Sequence, residues 1–67
     1  MSRTWQDIEE IAHDLLEQYP EVDPLAVDLP QLRGMVLKLR TFRDEPDGAS
    51  AETLEHIQAS WYEQLEG

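Results

Sequence analysis

The positions of its four prolines constrain the fold of this chain most. Pro20, Pro24, Pro30 and Pro46 all lie between, or at the start of, stretches with helical periodicity. A proline inside a helix removes a backbone hydrogen bond and clashes with the preceding turn. The chain is therefore limited to short helices, with a structured connection between Pro20 and Pro30 and a loop around Pro46.

Three segments place apolar residues at spacings of three and four, which is the pattern of an amphipathic helix. We predict a first helix from about Asp7 to Tyr19, with Asp7 as N-cap in capping-box spacing with Glu10; Thr4 is a competing N-cap. A second helix is predicted over roughly residues 30–40. A third begins after Ser50, which is a good N-cap.

One small core follows from these faces. Asp23-Pro24 predicts the start of a turn, and Val27 and Leu29, which alternate with Asp28, are expected to form a short extended piece. The fold class that we predict is mainly α, a three-helix, helix-turn-helix-like domain spanning residues 1–67. The predicted core residues are Trp5, Ile8, Ile11, Ala12, Leu15, Leu16, Tyr19, Leu32, Met35, Val36, Leu39, Phe42, Leu54, Ile57, Trp61 and Leu65.

Size and composition exclude several kinds of chemistry. A chain of 67 residues hides only about 60% of its unfolded surface, which leaves little room for a deep catalytic pocket. The absence of cysteine excludes disulfides, thiolate zinc sites and cysteine-ligated clusters. No phosphate loop or nucleophile motif is present, so we do not expect an enzyme. No apolar run approaches the ~20 residues of a membrane span, and the N-terminus reads as a cytoplasmic start.

Charge is distributed unevenly along the chain. The 15 acidic residues outnumber 5 basic ones, for a net charge of −10, which disfavours binding to phosphate backbones. Four of the five cations, Arg33, Lys38, Arg40 and Arg43, lie together without an intervening acid. This asymmetry suggests two faces with different partners, or one acidic face docking on a basic surface. Leu37, between the cations, is a candidate docking residue, unless the loop at residues 20–30 covers it.

The first helix carries the most concentrated group of metal-ligating side chains. Glu10, His13, Asp14 and Glu17 are three and four residues apart, so they are neighbours on one helix face. Carboxylates with one imidazole suit a hard or borderline metal such as Fe²⁺ or Mn²⁺, which would relieve their repulsion. The alternative is a solvated acidic face that contributes only solubility.

The ordered set of residues along the whole chain resembles the IscX family of iron–sulfur cluster assembly proteins. The most specific part is Tyr19-Pro20-x-x-Asp23-Pro24, combined with Trp5 and Trp61. The matching residues are Trp5, Asp7, Ile11, Leu15, Tyr19, Pro20, Asp23, Pro24, Val27, Leu39, Phe42, Asp44, Pro46, Ser50, Glu52, Leu54, Glu55 and Trp61.

The resemblance implies a small cytoplasmic, monomeric, non-enzymatic protein with a modified winged-helix fold. It implies binding to the pyridoxal-phosphate cysteine desulfurase of the iron–sulfur machinery, in competition with frataxin-like proteins, and weak binding of ferrous iron as cofactor. An acidic surface that includes the first helix would carry both activities. The residues that match acidic positions of the family surface are Asp7, Glu10, Glu17, Glu21 and Asp23. Together with the charged cluster on the first helix, this predicts as metal residues Asp7, Glu10, His13, Asp14 and Glu17, and as partner-binding residues Glu10, Glu17, Glu21, Asp23, Asp44 and Glu45.

Two departures from the family pattern bear on this assignment. His13 stands where the family pattern has an acid, and Asp14 is one position off that pattern, so iron binding is expected to be shifted or weaker. The family is acidic around Phe42, whereas this chain has Lys38, Arg40 and Arg43 there. A stand-alone iron donor is one alternative function. A helix-turn-helix nucleic-acid-binding protein is the other, although the third helix, which usually reads DNA, carries four glutamates.

Overall fold

Three α-helices and one 3₁₀ turn make up the architecture. The computed structural model describes residues 2–67. Helix α1 spans Ile8–Gln18, α2 spans Leu29–Leu37 and α3 spans Ala51–Glu66, with a 3₁₀ turn at Pro24–Ala26 between the first two helices. The predicted mainly α, three-helix class is confirmed. Residues 2–67 contain no β-strand; an isolated parallel bridge pairs Arg3 with Phe42.

Helix α3 is the element on which the others pack. Gln64, near its end, donates to the carbonyl oxygen of Glu9 near the start of α1, at 3.0 Å. In the middle of α3, the side-chain amide of Gln58 donates to the carbonyl oxygens of Pro24 at 2.7 Å and Val27 at 2.9 Å. Helices α1 and α3 therefore run in opposite directions, and the 3₁₀ turn lies against the middle of α3.

The predicted core is formed almost as expected. Buried side chains come from all three helices and from the segments between them, and include both tryptophans. Leu65 departs most: it is 43% exposed, because it lies in the last turn of α3, beyond the packed part of the apolar stripe. Four other predicted core residues are only partly buried, and two residues join the core that were not predicted there; the former are Ile8, Leu16, Tyr19 and Met35, the latter Val27 and Ala49. The buried apolar residues are Trp5, Ile11, Ala12, Leu15, Val27, Leu32, Val36, Leu39, Phe42, Ala49, Leu54, Ile57 and Trp61.

Helix α2 ends three residues earlier than predicted. The amide of Lys38 donates to the Met35 carbonyl at 3.2 Å, and the amide of Leu39 donates to the Val36 carbonyl at 3.0 Å. These bonds span three residues rather than four, so the chain tightens and leaves the helix axis. This turn lets both Leu39 and Phe42 enter the core.

The connection before α2 also differs from the prediction. Val27 and Asp28 are extended, but Leu29 is already the first helical residue, so no separate extended segment forms. The Asp28 carboxylate accepts a hydrogen bond from the Gln31 amide at 2.8 Å and caps α2. The predicted turn at Asp23 is confirmed, since its carboxylate accepts from the Leu25 amide at 3.0 Å.

The two predicted helix caps have different outcomes. Ser50 caps α3 as expected, because its hydroxyl accepts a hydrogen bond from the Thr53 amide at 3.2 Å. Asp7 occupies the N-cap position of α1, but its side chain makes no cap hydrogen bond. It instead accepts from the Thr4 amide at 2.9 Å, so the expected capping box with Glu10 is wrong.

The segment before α1 is fastened to the segment after α2. The Arg3 amide donates to the Thr41 carbonyl at 2.7 Å, and the Arg43 amide donates back to the Arg3 carbonyl at 2.9 Å. The Trp5 indole donates to the Glu45 carbonyl at 2.6 Å, and its ring meets Phe42 edge-on at a centroid distance of 4.6 Å.

None of the helices in residues 2–67 has the length and apolar character that a membrane span requires.

Two glycines give a matched test of this packing. A Cβ at Gly34, inside α2, would meet nothing within 4 Å, whereas one at Gly48 would lie 2.8 Å from Cδ1 of Trp5. We expect Gly34→Ala to stabilise the fold by about 0.5–1 kcal/mol, because alanine loses less backbone entropy in a helix. Gly48→Ala should cost about 1–3 kcal/mol through overpacking. Urea denaturation of both variants measures the difference, and equal effects would contradict the description of the Trp5 site.

Candidate functional site

The outward face of α1 is an exposed acidic surface. Glu10, His13 and Glu17 are exposed, and Glu21 and Asp23 follow on the exit loop, also exposed. His13 Nε2 lies 3.2 Å from Oε1 of Glu17, with side chains 57% and 68% exposed. We call Glu10, Glu17 and Glu21 the acidic face. Their carboxylates are in water, so a binding partner reaches them without any rearrangement of the core.

Asp14 lies on α1 but does not belong to this face. Its side chain is only 15% exposed. Its Oδ2 atom accepts from Nε of Arg3 at 3.1 Å and from the Thr41 hydroxyl at 2.8 Å. Asp14 therefore connects α1 to the two paired segments, and its carboxylate is occupied by a structural role.

The aspartates and glutamates of the chain divide by role. Five of the six aspartates accept hydrogen bonds that shape the fold: Asp7, Asp14, Asp23, Asp28 and Asp44. An aspartate side chain is short enough to reach nearby backbone amides, which is why it is common at turns and caps. The longer glutamates supply most of the free negative charge on the surface.

The predicted partner residues Asp44 and Glu45 lie apart from α1 in sequence, in the loop that holds Trp5. The Asp44 carboxylate accepts from the Trp5 amide at 3.1 Å and from the Glu45 amide at 2.7 Å. The Glu45 side chain is exposed. Of this pair, Asp44 is thus committed to fastening the N-terminal segment, while Glu45 presents a free carboxylate.

A groove between α1 and α3 extends the acidic face. It is open to solvent, has a volume of about 510 Å³, and carries three carboxylates, one histidine and one guanidinium. Sequence reasoning missed Glu9, Glu63 and Gln64, because only the packing of α3 against α1 brings the two helix surfaces together. The lining residues are Arg3, Glu9, Glu10, His13, Ser60, Glu63 and Gln64.

The predicted metal ligands are not gathered into one coordination site. Within residues 2–67, no group of three or more histidine, aspartate or glutamate side chains is arranged to hold a metal ion. Asp7 is bonded to Thr4, and Asp14 is bonded to Arg3 and Thr41. Of the predicted metal ligands, this leaves Glu10, His13 and Glu17 exposed to solvent, with the His13 and Glu17 side chains in contact. Iron binding by the acidic face therefore stays a prediction.

Negative charge also accumulates where the exit loop meets α3. The negative charge of the Glu66 carboxylate, one turn further along α3, raises the pKa of the Tyr62 phenol above its usual value of 10.0, and Asp23 adds to the effect. Both anions disfavour the charged phenolate. The side-chain amide of Gln58 donates to the carbonyl oxygens of Pro24 and Val27, so the exit loop lies against the middle of α3.

Fold and surface together define a small acidic helical protein whose charged groups lie on an open surface. The chain belongs to the iron-sulphur cluster assembly family, the IscX family, whose match covers residues 3–66. This is generally a non-catalytic accessory family. The chain is also 45% identical over 64 residues to the Uncharacterized protein PA3808 of Pseudomonas aeruginosa, a match that covers 96% of this chain and 97% of that protein.

The two roles of acidic residues on α1 are separable by mutation. We expect Asp14→Ala to lower the free energy of unfolding by about 1 kcal/mol, because it removes two hydrogen bonds to a largely buried carboxylate. Glu17→Ala, one turn later, should change it by less than about 0.5 kcal/mol, as is usual for exposed sites. Urea denaturation checks both values, and a larger loss for Glu17→Ala would assign it a structural role that we do not expect.

Proposed function

We propose that this protein is a non-enzymatic adaptor of iron–sulfur cluster assembly that binds the cysteine desulfurase through its acidic face. The observation that carries the proposal is the contrast between aspartates and glutamates. The fold uses five aspartates, yet Glu10, Glu17 and Glu21 are exposed. A net charge of −10 is costly to a small domain through self-repulsion, and binding to a basic partner offsets that cost.

The geometry supports an electrostatic contact with a wide footprint. Glu10 belongs both to the acidic face and to the groove shared with α3, where Glu9 and Glu63 add charge. A basic partner surface would therefore meet carboxylates from two helices. Complementary charge of this kind increases association rates and makes binding sensitive to salt, since ions screen exposed charges beyond about 10 Å at 0.1 M.

Reversal of two charges on the acidic face tests the proposal. We expect the double substitution Glu10→Lys with Glu17→Lys to abolish binding to the organism's own cysteine desulfurase, because repulsion replaces attraction at the centre of the contact. The measurement is a ¹⁵N NMR titration at low and high salt. Wild-type resonances of residues 7–23 should shift or broaden, and less so at high salt.

A control variant has the same net charge as the Glu10 and Glu17 variant, but its substitutions lie elsewhere. Glu52 and Glu55 are exposed on α3 outside the groove, so Glu52→Lys with Glu55→Lys changes the net charge equally but leaves the acidic face intact. This control should retain binding, with an affinity close to that of the wild type. Unchanged affinity in the Glu10 and Glu17 variant, or equal loss in both variants, would sink the assignment of the acidic face.

We propose ferrous iron as a weak ligand of the same face. The residues available are Glu10 and the adjacent pair His13 and Glu17, which offer exposed donors but no enclosing site. Such a set binds a divalent cation with low affinity, because few ligands are fixed in advance.

Anaerobic calorimetry with Fe²⁺ separates this weak binding from a stand-alone iron store. We expect a dissociation constant in a weak range of roughly 10⁻⁵–10⁻³ M, further weakened by His13→Ala with Glu17→Ala. The variant Asp28→Asn, which alters a helix cap away from the face, is the control. Tight binding that survives loss of His13 and Glu17 would refute this site and favour an iron donor that acts without the desulfurase.

A further inference from the structure

Four of the five basic residues form no ion pair within the described part of the chain. Arg33, Lys38, Arg40 and Arg43 have no acid among them in sequence. Over residues 2–67, the ion pairs within 4.0 Å are Arg3–Asp14 and His13–Glu17. In a chain with 15 acidic residues, intramolecular pairing of these cations would be the simplest arrangement. Their charges are instead available to a molecule outside the chain.

The four cations lie within α2 or in the segment that follows it, and the last residue of α2 is an exposed leucine. Lys38 and Arg43 are exposed, and Leu37, the last residue of α2, is 37% exposed. Arg33 and Leu37 are four residues apart, so they share one face of the helix. The Nε atom of Arg33 is buried and has no hydrogen-bond partner. A carboxylate that pairs with this guanidinium in bidentate fashion would supply the missing acceptor after a rotation of the side chain.

Arg40 marks where this surface meets the acidic one. A small cavity of about 150 Å³ has Arg40, Leu39 and Thr41 on one side, and Asp14, Glu17 and Gln18 on the other. Arg40 therefore lies beside the acidic side of α1, while Arg33, Lys38 and Arg43 are not part of this cavity. We define Arg33, Leu37, Lys38 and Arg43 as the basic edge.

We propose that the basic edge binds a short acidic segment of a partner protein, with an apolar side chain of that segment covering Leu37. The size of the molecule favours a short ligand. It measures 28 × 24 × 16 Å, so a long polyanion such as a nucleic acid would run past the edge and meet the acidic surface. Outside positions 33–43 the chain holds 15 acids and one arginine, a charge of −14. The same repulsion disfavours a second copy of this chain.

This binding site is separate from the acidic face and goes beyond the proposed adaptor contact. The two surfaces carry opposite charge, so they select different chemistry. A partner segment with a few carboxylates around one leucine or phenylalanine satisfies both the cations and the exposed apolar side chain. A strongly acidic protein without such a local segment would be repelled by the rest of the molecule.

An NMR titration of the ¹⁵N-labelled full chain tests the proposal. The probe is a synthetic peptide of about ten residues with carboxylates flanking a central leucine, and the control peptide has amides in place of the carboxylates. We expect the acidic peptide, at low salt, to shift resonances of residues 33–43. The amide peptide should shift none of them, because the attraction is electrostatic.

Two pairs of variants assign the contact to the basic edge. Lys38→Gln with Arg43→Gln should weaken peptide binding at least about five-fold. Ala51→Glu with Ala59→Glu, on exposed positions of α3, is the control. The first pair removes two positive charges and the control adds two negative ones, so both change the net charge from −10 to −12, but only the first alters the basic edge. Leu37→Ser should also weaken binding. Leu65→Ser, at a similarly exposed leucine, should leave it unchanged.

Three results would overturn the proposal. The first is a peptide that shifts no resonance, or shifts those of the acidic face. The second is an oligothymidine that shifts residues 33–43 at lower concentration than the peptide, which would make nucleic acid the ligand. The third is concentration-dependent sedimentation of the chain alone that Lys38→Gln with Arg43→Gln removes, which would make a second copy the occupant. None of these depends on binding to the desulfurase.

Discussion

The pairing of the N-terminal segment with the segment after α2 is the interaction on which the rest of the structure depends. Arg3 exchanges backbone hydrogen bonds with Thr41 and Arg43, and Trp5 packs on Phe42 beneath them. This pairing places Arg3 and the Thr41 hydroxyl where both bond to Asp14. Asp14 is thereby withdrawn from the acidic side of α1, whereas Glu10 and Glu17 stay exposed opposite the buried stripe of Ile11 and Leu15.

The fold uses the two kinds of acidic residue for different purposes, and the reason lies in side-chain length. An aspartate reaches a backbone amide two or three residues away with little loss of side-chain entropy, whereas a glutamate loses more when it is held. The caps and turns at Asp23 and Asp28 show this reach. The turn at Asp23 was readable from the sequence as Asp-Pro. The bonds to Asp14 and Asp44 were not, since their partners lie 27 and 39 residues away.

Two surfaces of opposite charge coexist on a molecule only 28 Å long. The boundary runs through the cavity between Arg40 and Glu17. Screening at physiological salt, with a Debye length of about 8 Å, lets the surfaces act on separate partners. A small domain without an enclosed pocket can therefore still distinguish between ligands, because its selectivity lies in where charge is left unpaired. Within residues 2–67, the fold accordingly neutralises few of its charges by internal ion pairs.

The sequence by itself determined the three helices, the breaks at the prolines and nearly all of the core, because apolar periodicity records which face each helix must bury. It also indicated that the charged residues of α1 face outward. Only the tertiary structure decided that α2 stops at Leu37 so that Leu39 and Phe42 can enter the core. It also separated Asp14 from its neighbours on α1 and brought Glu63 beside Glu9. These outcomes depend on contacts between residues distant in sequence, which no local pattern records.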